Sequence, residues 1–383
     1  MVGAAIGTGA LLSMNSVQAN ERRPGPGSSA VGTRADTESV ERLPFGGVVS
    51  FTPLHELHGT ITPSDLHFER HHGGIPRLDP TQHELVIHGM VAQPLKFTLG
   101  DLKRFPSVTR TCFIECSGNY VTRFGNQSTP QITCGLTSQS EWTGVPLATL
   151  LHQAGVKDKA TWLLAEGGDA PLLSRSIPMA KALDDALVVY AQNGEAIRPE
   201  QGYPFRLLLP GWEGNTSVKW LRRIAVSDAP FMTREETSKY TDKLADGNYR
   251  QFSFTMDARS IITYPTYPAT IEPGMHEIRG LAWSGRGRII AVEVSTNGGQ
   301  SWQKATLQGP VLDKAHTRFN LPWRWNGKAT EIQSRAIDET GYVQPTLKQL
   351  QAVRATTSTN YHFNPIVGWH IKADGSIEMT ETG

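Results

Sequence analysis

The chain has 383 residues, 38% of them hydrophobic and 19% charged, with 37 glycines and 24 prolines. These numbers exclude a helical bundle and a disordered chain and predict a loop-rich globular protein of two domains. Lys+Arg 37 against Asp+Glu 36 leaves a formal net charge of +1, so no general field draws nucleic acid or anionic lipid, and an anionic substrate must be held by a local cluster of cations.

Residues 1–19 begin with VGAAIGTGALLSM and end on Val17-Gln18-Ala19. The small-residue ending fits a signal-peptide cleavage rule, although basic residues are missing ahead of the apolar run. The stretch is too short to span a bilayer comfortably, and no later segment approaches a span. An exported, soluble protein without a membrane role is expected. Residues 20–45, polar and rich in Pro and Gly, read as a flexible arm.

HELVIHGMV alternates as a strand, AQPL turns, and TLGDLKRF carries a helix-entry pattern. TRTCFIECSGN at 109–119 reads as a strand entering a turn. VPLATLLHQAGV has helical spacing and a terminal Gly. LVVYAQNGEAI predicts two strands around Asn193-Gly194, a hairpin signal. FRLLLPG is a buried-strand run, and SVKWLRRIAVSD at 217–228 a half-buried strand. From 229 to 260 the sequence turns polar and loop-like. Beyond Pro265, MHEIRGLAWSG, GRIIAVEVSTNGGQSWQKATL, TRFNLPWRW and TEIQSRAIDETG alternate at regular spacing, the pattern of an antiparallel sandwich. The expected domains are therefore 46–260 and 261–375, with 376–383 as a tail.

Cys116 is the residue whose chemistry is least obvious. A Cys112–Cys116 disulfide is unfavourable, because on one strand the Cα atoms stand four rises, roughly 13 Å, apart. Cys134 could pair with either. The C-x3-C spacing is weak for zinc, and a nucleophilic role needs a His that sequence cannot place. A buried structural thiol also remains open.

The segment ECSGN resembles the cofactor-anchoring segment of the sulfite oxidase family of molybdenum enzymes. FERHHGGIP resembles the family's Phe-x-Arg-x-His segment. The stretch 176–226 is similar along its length, with Pro-x-Arg, Pro-Gly and Val-Lys-Trp landmarks at Arg206, Pro210-Gly211 and Val218-Lys219-Trp220. The resemblance implies an α+β fold: a mixed α/β molybdopterin domain followed by an immunoglobulin-like antiparallel β-sandwich that dimerises.

It further implies molybdenum held by molybdopterin and the Cys116 thiolate, a soft and strongly donating ligand. Ser117, Gly118 and Asn119 would bind the cofactor beside it, and Gly118 would let the backbone approach it closely. His72 would lie by the cofactor, and Arg206 and Lys219 would hold its phosphate. Arg70, Tyr240, Arg354 and Arg123 would face the substrate. Two departures are notable. Tyr120 and Val121 stand where relatives carry two arginines, with Arg123 as a substitute, and Gln201 replaces a cofactor-contacting His. No Cys-x-x-Cys-His occurs, so no haem is expected on this chain.

Within the family, HGTITPSDLHFERHHGGIP and FIECSGN most resemble the sulfane-oxidising branch of the bacterial periplasmic sulfur-oxidising system. That likeness implies a substrate sulfur borne on the cysteine of a carrier protein and a c-type cytochrome subunit as electron acceptor. It also implies a homodimer of this chain within a heterotetramer. Direct oxidation of sulfite to sulfate, with cytochrome c as acceptor, is the alternative.

Overall fold

The structure is a computed structural model that describes residues 38–120, 125–354 and 361–381. The expected signal remnant, most of the expected arm, Val121 and Arg123 lie outside the described residues. The chain divides into Met1–Val40 and Glu41–Gly383, and every element below lies in the second unit.

Short sheets build the first half. Leu43–Phe45, Val49–Phe51 and Glu69–Arg70 form one of three strands, so the end of the predicted arm is ordered as a strand edge. Glu195–Ala196, Leu187–Gln192, Thr137–Pro146 and Val108–Glu115 form the next, in that order, with Arg206–Leu208 also paired to Leu187–Gln192. In the third sheet Leu85–Gly89 runs parallel to Leu221–Ser227, and the other pairings, to Leu95–Phe97, Trp162–Gly167 and Ser174–Pro178, are antiparallel.

Local chemistry explains much of this. Asn193 and Gly194 both take positive φ, 51° and 78°, as a two-residue hairpin requires. Thr98 and Asp101 cap the helix Leu99–Leu102 reciprocally, and Gly155 at φ 68° ends Leu147–Ala154. That helix buries Leu147, Leu150 and Leu151 against Leu85, Ile87 and Ile224 of the third sheet. Each such side chain contributes about 1.5–3 kcal/mol on burial.

Two expectations fail here. The strand predicted over 217–228 begins only at Leu221. Ser217 to Trp220 turn instead, Trp220 at φ 51°, because Lys219 and Trp220 bond to the carbonyls of Glu200 and Pro199. The loop predicted for 229–260 contains the helix Arg234–Ser238, whose Thr233 and Glu236 form a capping box, and the ribbon Asp242–Lys243 with Tyr249–Arg250.

The second half is a sandwich. Arg259–Tyr264, Gly274–Trp283, Thr317–Trp325 and Thr306–Gln308 form one sheet. Gln303–Lys304, Ile289–Ser295, Thr330–Asp338, Val367–Ile371 and Ile377–Glu381 form the other. The last strand corrects the expectation of a tail from 376. Ile377–Glu381 pairs antiparallel with Val367–Ile371 after the Asp374-Gly375 turn, and buries Ile377 and Met379. The sandwich core around Trp283, Phe319 and Trp369 also takes in Leu54, Phe113, Tyr120 and Cys134 of the first half.

At the junction Gly211 and Gly285 meet backbone to backbone, and a Cβ on either would collide with the other's carbonyl. Met256 ties them, donating to Gly211 O at 3.0 Å and accepting from Gly285 N at 2.7 Å. The Pro-Gly landmark is thus where the sandwich docks. Among the described residues no helix is long and apolar enough to cross a membrane.

Candidate active site

Arg70, at one strand end, and Cys116, just past another, converge on one cavity. Arg70, His72, Cys116, Arg206, Lys219 and Tyr240 all line it. Residues spread over 170 positions of sequence, from Arg70 to Tyr240, are thereby brought together.

Cys116 stands one residue past Val108–Glu115, its N–H donating to Leu136 O at 2.9 Å. Asn119 closes the turn that follows. Its Nδ2 donates to Glu115 Oε1 at 2.9 Å, its Oδ1 accepts from Leu136 N at 2.8 Å, and its own N–H donates to Cys116 O at 2.9 Å. Ser117 is buried, its carbonyl accepting from His362 N at 2.8 Å. Ser117, Gly118 and Asn119 therefore build the turn and do not line the cavity. A Cβ on Gly118 would meet only the Tyr361 ring, at 3.8 Å, an ordinary contact.

All three cysteines are free. Burial pushes Cys112 up to about 12 and Cys134 up to about 11, which leaves both inert. Burial also raises Cys116, opposed by the Gly118 N–H and by Arg70. A metal would take its sulfur as thiolate. Among the described residues no cluster of three His, Cys, Asp or Glu can hold a metal by protein ligands alone.

Two cations, Arg206 buried and Lys219 half-buried, define another part of the cavity. Arg206 donates to Gln201 O at 3.0 Å and Ser217 O at 2.7 Å, while its Nε has no partner. Lys219 Nζ reaches His71 Nδ1 at 2.8 Å and Glu200 O at 3.0 Å. His71 Nε2 in turn bonds Glu69 Oε2 at 2.7 Å. Among the described residues neither cation has a carboxylate ion-pair partner, and burial lowers Arg206 to about 9 and Lys219 to about 7. Gln201, donating to Phe68 O at 2.9 Å, adds no charge. Cations without a carboxylate partner among the described residues, one of them with an orphaned N–H, are the chemistry of an anion site. One thiol and two such cations fit a molybdopterin: Cys116 would hold the metal, and Arg206 and Lys219 the phosphate.

His72 Nε2 and the Tyr240 hydroxyl are 2.8 Å apart. Burial, with help from Arg70 and Lys219, lowers His72 to about 4, although its ring is partly open to solvent. Burial raises the Tyr240 phenol, and Cys116 adds to the shift. Under the Tyr240 ring lies Arg175, fully buried, 5.1 Å from the centroid and bonded to Glu213 Oε1 at 2.9 Å. Tyr361 stands 4.8 Å from the Tyr240 ring. Arg175, Glu213 and Tyr361 carry no local motif, and sequence reading missed them.

Arg354 departs from expectation. It does not line the cavity. Its guanidinium lies 3.3 Å from Asp257 and 3.6 Å from Asp242, and two carboxylates hold it in a junction instead.

The sequence model for "Oxidoreductase molybdopterin binding domain" matches residues 72–235, and that for "Mo-co oxidoreductase dimerisation domain" matches 250–368. The crystal structure of the sulfane dehydrogenase SoxCD from Paracoccus pantotrophus superposes with a TM-score of 0.88 at 46% identity, over 94% of this chain and 95% of that one. This chain belongs to the sulfite oxidase family of molybdenum oxidoreductases. Two more distant members frame it. It is 31% identical to the NADH nitrate reductase of Ulva prolifera over 75% of its own length, and to the mitochondrial sulfite oxidase of Rattus norvegicus over 79%. It spans only 38% and 60% of those two proteins. As a family member it is an enzyme with a molybdopterin-binding half and a dimerisation half.

Proposed function

We propose that this chain oxidises a sulfane sulfur carried on the cysteine of a carrier protein to the sulfonate level and passes the electrons to a c-type cytochrome subunit, in the periplasm. Its dimerisation half would form a homodimer within a heterotetramer with that cytochrome.

The observation that carries this reading is the charge at the Cys116 end of the cavity. Among the described residues Arg70 is the cation that opposes the rise of the Cys116 thiol, while Arg206 acts on Lys219. Tyr120, where relatives carry an arginine, is buried against Phe363 at 4.6 Å and offers no charge to the cavity. Arg354 is committed to Asp242 and Asp257. A small dianion such as sulfite is best held by several guanidinium forks. Among the described residues, one arginine beside two tyrosines at this end of the cavity suits a sulfur of lower charge on a longer arm. The likeness to a sulfane dehydrogenase supports the same choice.

When bound, the molybdenum centre supplies oxygen-atom transfer and takes up two electrons per turn. Converting the persulfide R–S–S− to the S-sulfonate R–S–SO3− consumes three waters and releases six protons and six electrons, so three such turns are needed. Arg70 would neutralise the oxyanion as it grows. Tyr240 would place the substrate, and in the Nδ1–H tautomer of His72 its phenol donates to Nε2. That pair connects the cavity to the solvent at its mouth, where protons can leave. Tyr240→Phe is expected to lower kcat by about 10²-fold with molybdenum content unchanged, measured by steady-state kinetics beside metal analysis.

The functional test compares persulfidated carrier with free sulfite on loaded enzyme, using a c-type cytochrome as acceptor. Turnover of the carrier and poor use of sulfite are expected. Efficient oxidation of sulfite, with the carrier ignored, would establish the sulfite dehydrogenase reading instead.

A further inference from the structure

Beside Cys116, the carboxylate of Glu115 is 1% exposed and receives donors on both oxygens. Oε1 accepts from Asn119 Nδ2 at 2.9 Å and from Arg259 Nη1 at 3.1 Å, and Oε2 accepts from Trp283 Nε1 at 2.7 Å. Asn119 belongs to the Cys116 turn, but Arg259 and Trp283 sit on paired strands of the sandwich, directly opposite one another. Arg259 also donates to the carbonyl of Asn119. The sandwich therefore grips the turn at both its ends, before and after the cysteine.

We infer that Glu115, with Arg259 and Trp283, is the positioning device through which the sandwich fixes the Cys116 thiolate and balances the charge behind it. The arrangement goes beyond an ordinary structural ion pair in two respects. Glu115 is covalently next to the ligand, so any shift of its carboxylate turns the Cys116 backbone. The site is dry, with Arg259 at 2% and Trp283 at 0% exposure, so the Glu115–Arg259 pair acts on the cavity with little screening. Tyr120 gains a role as well. The Arg259 guanidinium lies 5.6 Å from its ring centroid, a cation–π contact. An arginine at that position would set a second buried cation against Arg259. The same feature that removes a cation from the cavity thus lets the clamp form.

The inference rests on Cys116 as the molybdenum ligand. Glu115→Gln keeps the shape and removes the negative charge, which leaves Arg259 unbalanced near the centre. A nearby net positive charge favours the reduced, more negative metal site. In enzyme loaded to wild-type molybdenum content, the midpoint potential should rise and the paramagnetic resonance spectrum of the half-reduced centre should change. Activity should fall by about ten-fold in kcat, as for other residues that orient a metal ligand, with KM little altered. Full molybdenum together with a wild-type potential and spectrum would overturn the inference. Should Glu115→Gln not fold, Arg259→Lys keeps the charge but gives up the bridge between Glu115 and Asn119. It should change the spectrum while holding the potential, and an unchanged spectrum overturns the inference too. Failure of Cys116 itself as ligand would show separately, as full molybdenum and full activity after its replacement.

Discussion

Cys116→Ser is expected to abolish turnover, by at least about 10³-fold or about 4 kcal/mol of transition-state stabilisation, and to deplete the protein of molybdenum while leaving it folded. A hydroxyl is a harder and weaker donor than a thiolate toward this metal. The turn around it is held by backbone and by Asn119, none of which the substitution touches. Cys112→Ser is the matching control. That thiol is fully buried on the strand Val108–Glu115, away from the cavity lining. Its replacement buries a hydroxyl at a cost of about 1–3 kcal/mol in stability and should leave molybdenum content in place. Metal analysis and kinetics on the two variants decide the matter, and a Cys116→Ser enzyme with full molybdenum and full activity would refute the assignment.

Lys219→Met should act with opposite signs on the loaded and the cofactor-free protein. In the loaded enzyme it removes a charge-assisted contact to the proposed phosphate, a loss of about 1.5–3 kcal/mol, so molybdopterin retention should fall by roughly 10- to 100-fold. In the cofactor-free protein the same change removes a half-buried cation that has no carboxylate partner among the described residues, and the melting temperature should rise. The pH dependence has a definite sign. Lys219 is lowered from its ordinary 10.5 to about 7 in the fold, first by burial and then by Arg206. Between those values the unfolded chain binds more protons than the folded one, so this group makes stability increase with pH across that window. The difference in unfolding free energy between wild type and Lys219→Met, measured by denaturant titration of cofactor-free protein, should therefore shrink from pH 7 to pH 10. A constant difference would refute the account of Lys219 as an uncompensated cation.

These two residues illustrate different degrees of legibility. Cys116 could be singled out because the ECSGN segment that carries the resemblance is contiguous in sequence, and it folds as one turn that Leu136 and His362 complete from afar. Lys219 could be aligned to a landmark, but its conformation could not. The alternation of 217–228 favours a strand, and long-range bonds to Glu200 and Pro199 override that preference over its first residues. The strand at Ile377–Glu381 did have a signal, an alternating run behind an Asp-Gly turn. It was missed because its partner, Val367–Ile371, lies outside the regular spacing of the other strands.

By itself the sequence determined whatever depends on near neighbours. The Asn193-Gly194 hairpin, the Thr98 cap, the sandwich strands and the anchoring turn all follow from φ preference, capping and period-two burial. Tertiary structure alone decided where the charges ended up. Arg354 was expected at the substrate and lies between Asp242 and Asp257. Glu115 gave no sign of its role and joins two halves of the molecule, 144 residues from Arg259 and 168 from Trp283. For Arg354 and Glu115 the physical reason is that a charge is buried at least cost beside a counter-charge and hydrogen-bond partners. Those partners come from distant segments that only the folded chain brings together.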